Sequence, residues 1–83
     1  MKHSHLSAPV IPAGLYRHYK GQMYQVAQVA QHSETREWMV IYQALYGEYG
    51  WWVRPAAMFT EEVVIDGVAQ PRFAAYSPQS TGA

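Results

Sequence analysis

The densest chemistry in the chain lies in one run, His32-Ser33-Glu34-Thr35-Arg36, with a second cation, Arg54, set between Val53 and Pro55. A His beside a Ser is the pair a hydrolase uses as base and nucleophile. Residues adjacent in sequence rarely aim their side chains at one another, however, and a triad is assembled from distant positions. A working serine also needs oxyanion donors and an enclosing pocket, which a chain of this size rarely builds. The plainer reading is a hairpin loop that caps itself. In it the Ser33 and Thr35 hydroxyls bond loop amides, and Glu34 pairs with Arg36 or Arg54. The run therefore points to structure or binding before catalysis, and no catalytic residue is assigned.

Arg54 stands at the end of an aromatic strand, where partial burial is expected. A buried guanidinium needs a partner, and Glu34 and Glu37 are the available acids. Its functional use would be to present its fork to a carboxylate or phosphate on a ligand. Beside it, Tyr42, Tyr46, Tyr49, Trp51 and Trp52 can line an aromatic groove of the kind that takes extended peptides, stacked bases or methylated cations. Neighbouring strand residues alternate faces, so one of Trp51 and Trp52 should be buried. The other should face outward with Tyr42 or Tyr46. The candidate binding residues are His32, Ser33, Glu34, Thr35, Tyr42, Tyr46, Trp52 and Arg54.

Cofactors are not expected. The chain has no Cys, which removes disulfides and Cys-based zinc sites and fits a reducing compartment. His18 and His32 lack a metal-ligand partner at helical spacing. A free Met1-Lys2-His3 terminus can wrap Cu²⁺ or Ni²⁺ in a square plane, but any exposed terminus of this pattern does so. Six basic and six acidic residues cancel, which disfavours a phosphate-tracking surface and leaves RNA or single-stranded nucleic acid as an alternative partner. The charges are uneven: Arg17, His18 and Lys20 on one side, Glu61, Glu62 and Asp66 on the other. No apolar core of a signal peptide follows Lys2, and no stretch is apolar enough to span a bilayer. The expectation is a cytoplasmic monomer that binds a protein or peptide, away from membranes. A small-ligand or enzymatic site at His32 is a further alternative.

The elements that must position these groups are short strands. Residues 1–13, with Pro9 and Pro12, read as a loose arm, and the polar run from Ser77 to Ala83 as a disordered tail. Residues 14–76 form the single domain. About 60 residues bury only about 60% of their extended-chain surface, so the 12 aromatic residues must supply much of the core. Leu15 to Tyr19 alternates as a half-buried strand, and Lys20-Gly21 is a turn. Met23 to Gln31 breaks its own parity, with Tyr24 and Val26 on one face but Ala27 and Val29 on the other. A β-bulge near Ala27-Gln28 reconciles them. From Trp38 to Tyr46 the central strand puts Trp38, Val40, Tyr42, Ala44 and Tyr46 on one side and Met39, Ile41 and Leu45 on the other. Trp51 to Arg54 is a fourth strand ended by Pro55, and Pro55–Met58 suits a 3₁₀ turn. Asp66-Gly67 joins Val63–Ile65 to a strand running from Val68 to Phe73. The sum is an all-β domain of five to six short antiparallel strands. A small, bent SH3-like barrel hides its edges most economically, and a split β-sandwich is the alternative.

The opening Gly14-Leu15-Tyr16-Arg17-His18-Tyr19-Lys20-Gly21, the HSET run at His32, ALYG, WVRP and MF further on, and the closing pattern from Glu62 to Phe73 resemble a small bacterial family, domain of unknown function 1653. The resemblance covers about residues 14–76. It implies a bacterial, stand-alone β-rich module and no particular activity.

Overall fold

The computed structural model describes residues 8–77. The chain runs β1 (Gly14–His18), β2 (Met23–Gln31), β3 (Trp38–Ala44), β4 (Trp51–Pro55), α1 (Ala56–Phe59), β5 (Glu62–Ile65), β6 (Val68–Pro71) and β7 (Phe73–Ala75). Five strands form one antiparallel sheet in the order β4-β3-β2-β1-β7, and β5 and β6 pair as a separate hairpin. The all-β class is as expected. The described residues form seven strands because Arg72 breaks the last expected strand in two. Residues 1–7 of the arm, with the Met1-Lys2-His3 terminus, and residues 78–83 of the tail lie outside the described residues. Nearer the sheet the arm is engaged: Ile11 packs against the core, and the Tyr16 hydroxyl donates to the Pro12 carbonyl at 2.8 Å.

The sheet bends but does not close into a barrel. β4 and β7 are its two edges, and α1 with the β5–β6 hairpin occupies the chain between them. Side chains bridge the gap where ladder hydrogen bonds would run. The Arg54 guanidinium of β4 lies 5.8 Å from the centre of the Phe73 ring of β7.

The bulge falls where the parity conflict demanded it. Val26 pairs with Tyr42 and Gln28 with Ile41, leaving Ala27 unpaired. Val26 and Val29 can therefore both face the core, opposite Tyr42 and Val40. The helical turn differs from expectation: Pro55 still pairs with Met39 in the sheet and caps α1 from outside. The turn itself is α-helical, with the Thr60 amide and hydroxyl both donating to the Ala56 carbonyl at 3.0 Å. Only its exit is of 3₁₀ type, from the Glu61 amide to the Met58 carbonyl. Asp66 and Gly67 both take positive φ, 52° and 79°, the type I′ geometry that matches strand twist.

The core sits on the concave face of the five-stranded sheet. Tyr16, Val26, Val40, Tyr42, Ala56, Phe59 and Phe73 are buried together, with Tyr24, Val29 and Trp38 packed around them. At its centre Phe59 of α1 stacks on Phe73 of β7, centroids 4.2 Å apart and planes within 5°. Tyr16 and Tyr42 meet Phe59 edge-on, both at 5.5 Å. Such ring pairs add roughly 0.5–1.5 kcal/mol each beyond area burial. No helix among the described residues is long and apolar enough to cross a membrane.

Candidate recognition face

The His32 imidazole and the Thr35 hydroxyl are taken up by the loop's own amides. His32 Nδ1 accepts from the Glu34 amide at 3.1 Å and from the Thr35 amide at 3.3 Å, and Thr35 Oγ1 accepts from the Glu37 amide at 3.1 Å. The His32 amide and carbonyl are bonded to Glu37 and Arg36, which turns the chain from β2 into β3. The expected cap is thus present but carried by different atoms. The imidazole and Thr35 do what Ser33 and Thr35 were expected to do, because the ring nitrogen reaches two amides at once. The expected pairing of Glu34 with Arg36 or Arg54 is absent. Among the described residues the ion pair is Arg72–Glu61, at 3.0 Å.

Arg54 is held by rings and not by an acid. It is half-buried, its Nε donates to the Tyr42 hydroxyl at 3.2 Å, and its guanidinium faces Phe73. No carboxylate among the described residues pairs with it, so its terminal nitrogens, which are not sealed from solvent, remain available. From this centre the phenols continue outward. Tyr24 meets Tyr42 edge-on at 5.5 Å and shares a 2.6 Å hydroxyl–hydroxyl bond with Tyr46, which is 44% exposed. Burial, then that bond, pushes the Tyr24 phenol up to about 12. His18 stacks edge-on against Phe73 at 4.9 Å, and its Nδ1 accepts from the Lys20 amide. Burial, then Arg72, Lys20 and Arg54 in that order, lowers its pKa from the ordinary 6.5.

Two expectations are corrected at this face. Tyr42, offered as an outward contact, is only 5% exposed, because it pairs with Val26 in the middle of the sheet and packs on Phe59. Trp51 and Trp52 are both open, at 58% and 59%. Strand alternation buries one of two neighbours only when one face is covered along its whole width. β4 is an edge, and the core ends before reaching its first half. Trp52 lies across from Tyr42 and folds its indole back over Gly50, 3.6 Å from where a Cβ there would stand.

The structure thus gathers Tyr42, Tyr46, Trp52 and Arg54 on one face and sets His32, Ser33, Glu34 and Thr35 apart in a self-bonded loop. Tyr24 and Phe73 join the face without having been singled out, and His18 joins it from the basic run Arg17–Lys20. Tyr24 was visible in sequence only as a strand residue, and its reach to Tyr46 depends on the Tyr24–Ala44 register. An open cleft of about 310 Å³ lined by Arg17, His18, Tyr19, Gln70, Pro71 and Ala74 includes neither His32 nor Arg54. No cluster of three metal-ligating side chains occurs among the described residues.

Residues 14–75 match the model of the family described as protein of unknown function (DUF1653). The chain belongs to that family. The crystal structure of a DUF1653 protein from Bordetella bronchiseptica superposes with a TM-score of 0.72 at 35% identity, over 83% of this chain and 95% of that one. A search of the curated proteins finds no match. The DUF1653 match begins and ends with the five-stranded sheet, so both edges, α1 and the inserted hairpin are parts of the family's module.

Proposed function

We propose that this DUF1653 domain is a non-catalytic recognition module that binds a protein or peptide through a carboxylate at Arg54. Trp52 and Tyr46 form the apolar flank. The observation that carries the reading is the state of Arg54: half-buried, oriented by the Tyr42 hydroxyl and the Phe73 ring, and without an acidic partner among the described residues. A guanidinium fixed in that way gives up little rotamer freedom when it forms a bidentate pair, so the fork is ready before the ligand arrives. The exposed Trp52 on the same strand, and Tyr46 reached through Tyr42 and Tyr24, supply the rigid apolar contact that such surfaces favour. Selection from a random-peptide phage library on the wild-type domain and on Arg54→Gln tests this. Clones rich in Asp or Glu should be enriched by the wild type and lost by the variant. Recovery of the same clones on both proteins would overturn the reading.

A second reading rests on the cations around His18, where Lys20, Arg54 and Arg72 all act on the imidazole, next to the rings of Tyr19 and Tyr24. Phosphate contacts there with bases stacked on the rings would bind single-stranded nucleic acid. Its signature is binding of mixed oligonucleotides that weakens steeply with salt, and absence of binding at low salt ends it.

A further inference from the structure

The two edges of the five-stranded sheet are guarded very differently. β7 is three residues long and presents Ala74 and Ala75, the short, plain edge that discourages pairing. β4 is five residues long and presents Trp51, Trp52 and Val53, with Val53 also 58% exposed. These side chains project from both faces: Trp52 and Arg54 on the core side, Trp51 and Val53 on the other.

The backbone phase of β4 follows from one bond. The Ala44 amide donates to the Gly50 carbonyl at 2.9 Å, so Gly50, Trp52 and Arg54 turn their peptide groups towards β3. Trp51 and Val53 then turn theirs outward, an amide and a carbonyl each, with no strand beyond among the described residues. Pro55, which has no amide to offer, falls in the same outward phase and ends the row. The free edge, the open aromatic pair and the acid-free Arg54 therefore coincide on one strand.

We infer that an extended acidic segment of a partner protein adds to β4 as a sixth, antiparallel strand. Its backbone exchanges hydrogen bonds with Trp51 and Val53, and an Asp or Glu on it stands opposite Arg54. This rests on the recognition reading above and specifies its geometry. Charge complementarity selects the partner: β4 bears one charge, positive, and no acid among the described residues pairs with it. A second copy of the chain is the weaker occupant. Its own acid-and-valine stretch, Glu61 to Ile65, is committed to Arg72 and to β6.

The probe is acetyl-Ser-Glu-Val-Thr-Val-Ser-amide, titrated by tryptophan fluorescence into the full chain. In antiparallel register its Glu faces Arg54 and its two Val residues face Val53 and Trp51. N-methylation of both Val amides should weaken binding by about tenfold or more, because those amides are the ones that donate to β4. N-methylation of the Glu and Thr amides, which point to solvent, should change it by less than about twofold. A Glu-to-Gln peptide should bind weakly to the wild type and no differently from the parent peptide to Arg54→Gln. Equal weakening by the two methylation patterns, with the Arg54 dependence intact, overturns strand addition and leaves the recognition reading standing. Loss of the Arg54 dependence as well brings down both. No binding of the probe at millimolar concentration overturns strand addition, while the library selection judges the reading separately. A concentration-dependent dimer in sedimentation that Val53→Asp abolishes would assign the edge to a second copy and overturn the inference.

Discussion

Eight aromatic residues of this domain fall into two contrasting groups. Tyr16, Tyr42, Phe59 and Phe73 are closed, each within a ring's width of the next and shut off from water. Trp51, Trp52, Tyr46 and Tyr49 are open, although the first two, with Trp38, are the largest apolar side chains in the chain. A domain this small needs every buried ring it can enclose. Two tryptophans left on an edge strand therefore mark a surface the fold itself does not use. Arg54 joins the groups, sharing a strand with the open tryptophans while its Nε bonds a closed tyrosine.

The sharpest way to separate the groups is to remove one ring from each. Phe59→Ala takes away a side chain that is 1% exposed and stacked on Phe73. It should cost about 3–5 kcal/mol, enough to unfold much of the population, as read by urea denaturation followed by circular dichroism. Trp51→Ser and Trp52→Ser should each move the same midpoint by no more than about 0.5 kcal/mol. A loss from either comparable to that of Phe59→Ala would erase the distinction, and with it the argument that β4 is free for a partner.

The smallest effect lies on the boundary, at the Tyr24–Tyr46 hydroxyl bond. Tyr24 titrates near 12 in the folded chain against an ordinary 10.0. Between those values the unfolded chain ionises and the folded chain does not, so stability is intact below pH 10 and declines as pH rises towards 12. Tyr46→Phe removes the bond and should bring the Tyr24 transition down while leaving the burial part of the shift, as seen in phenolate absorbance. A transition that does not move would show that burial alone sets it.

Much of the fold was legible because local pattern and tertiary structure agreed. The parity break in β2 located the bulge, Asp66-Gly67 located the hairpin, and Val40, Tyr42 and Ala44 shared a face as their spacing required. Closure was not legible, since whether β4 meets β7 depends on α1 and the inserted hairpin, which no periodicity encodes. The site was read less well. His32 to Thr35 drew notice because the residue types are chemically rich, yet loop geometry spends the His32 imidazole and the Thr35 hydroxyl on its own amides. Arg54 was picked out by its place in the strand, but its partner is a tyrosine on the neighbouring strand at the register position Tyr42–Trp52, two residues along. Alternation misled at Trp51 and Trp52 because it describes which way a side chain points and not whether anything is there to cover it.

The Phe59–Phe73 stack has one more effect, on what the chain can tolerate. Immediately outside it the Arg72 amide donates to the Glu61 carbonyl at 2.9 Å and the Arg72 side chain pairs with Glu61, so the polypeptide is pinned at residues 59–61 and again at 72–73. Everything between, the β5–β6 hairpin, is a loop whose ends are already tied. Doubling the length of such a loop adds only about 0.6 kcal/mol of closure entropy. The sheet's registers are set on the near side of the clamp, so the hairpin is the place where this module can grow, shrink or accept a foreign segment while Arg54 and the β4 edge stay where they are.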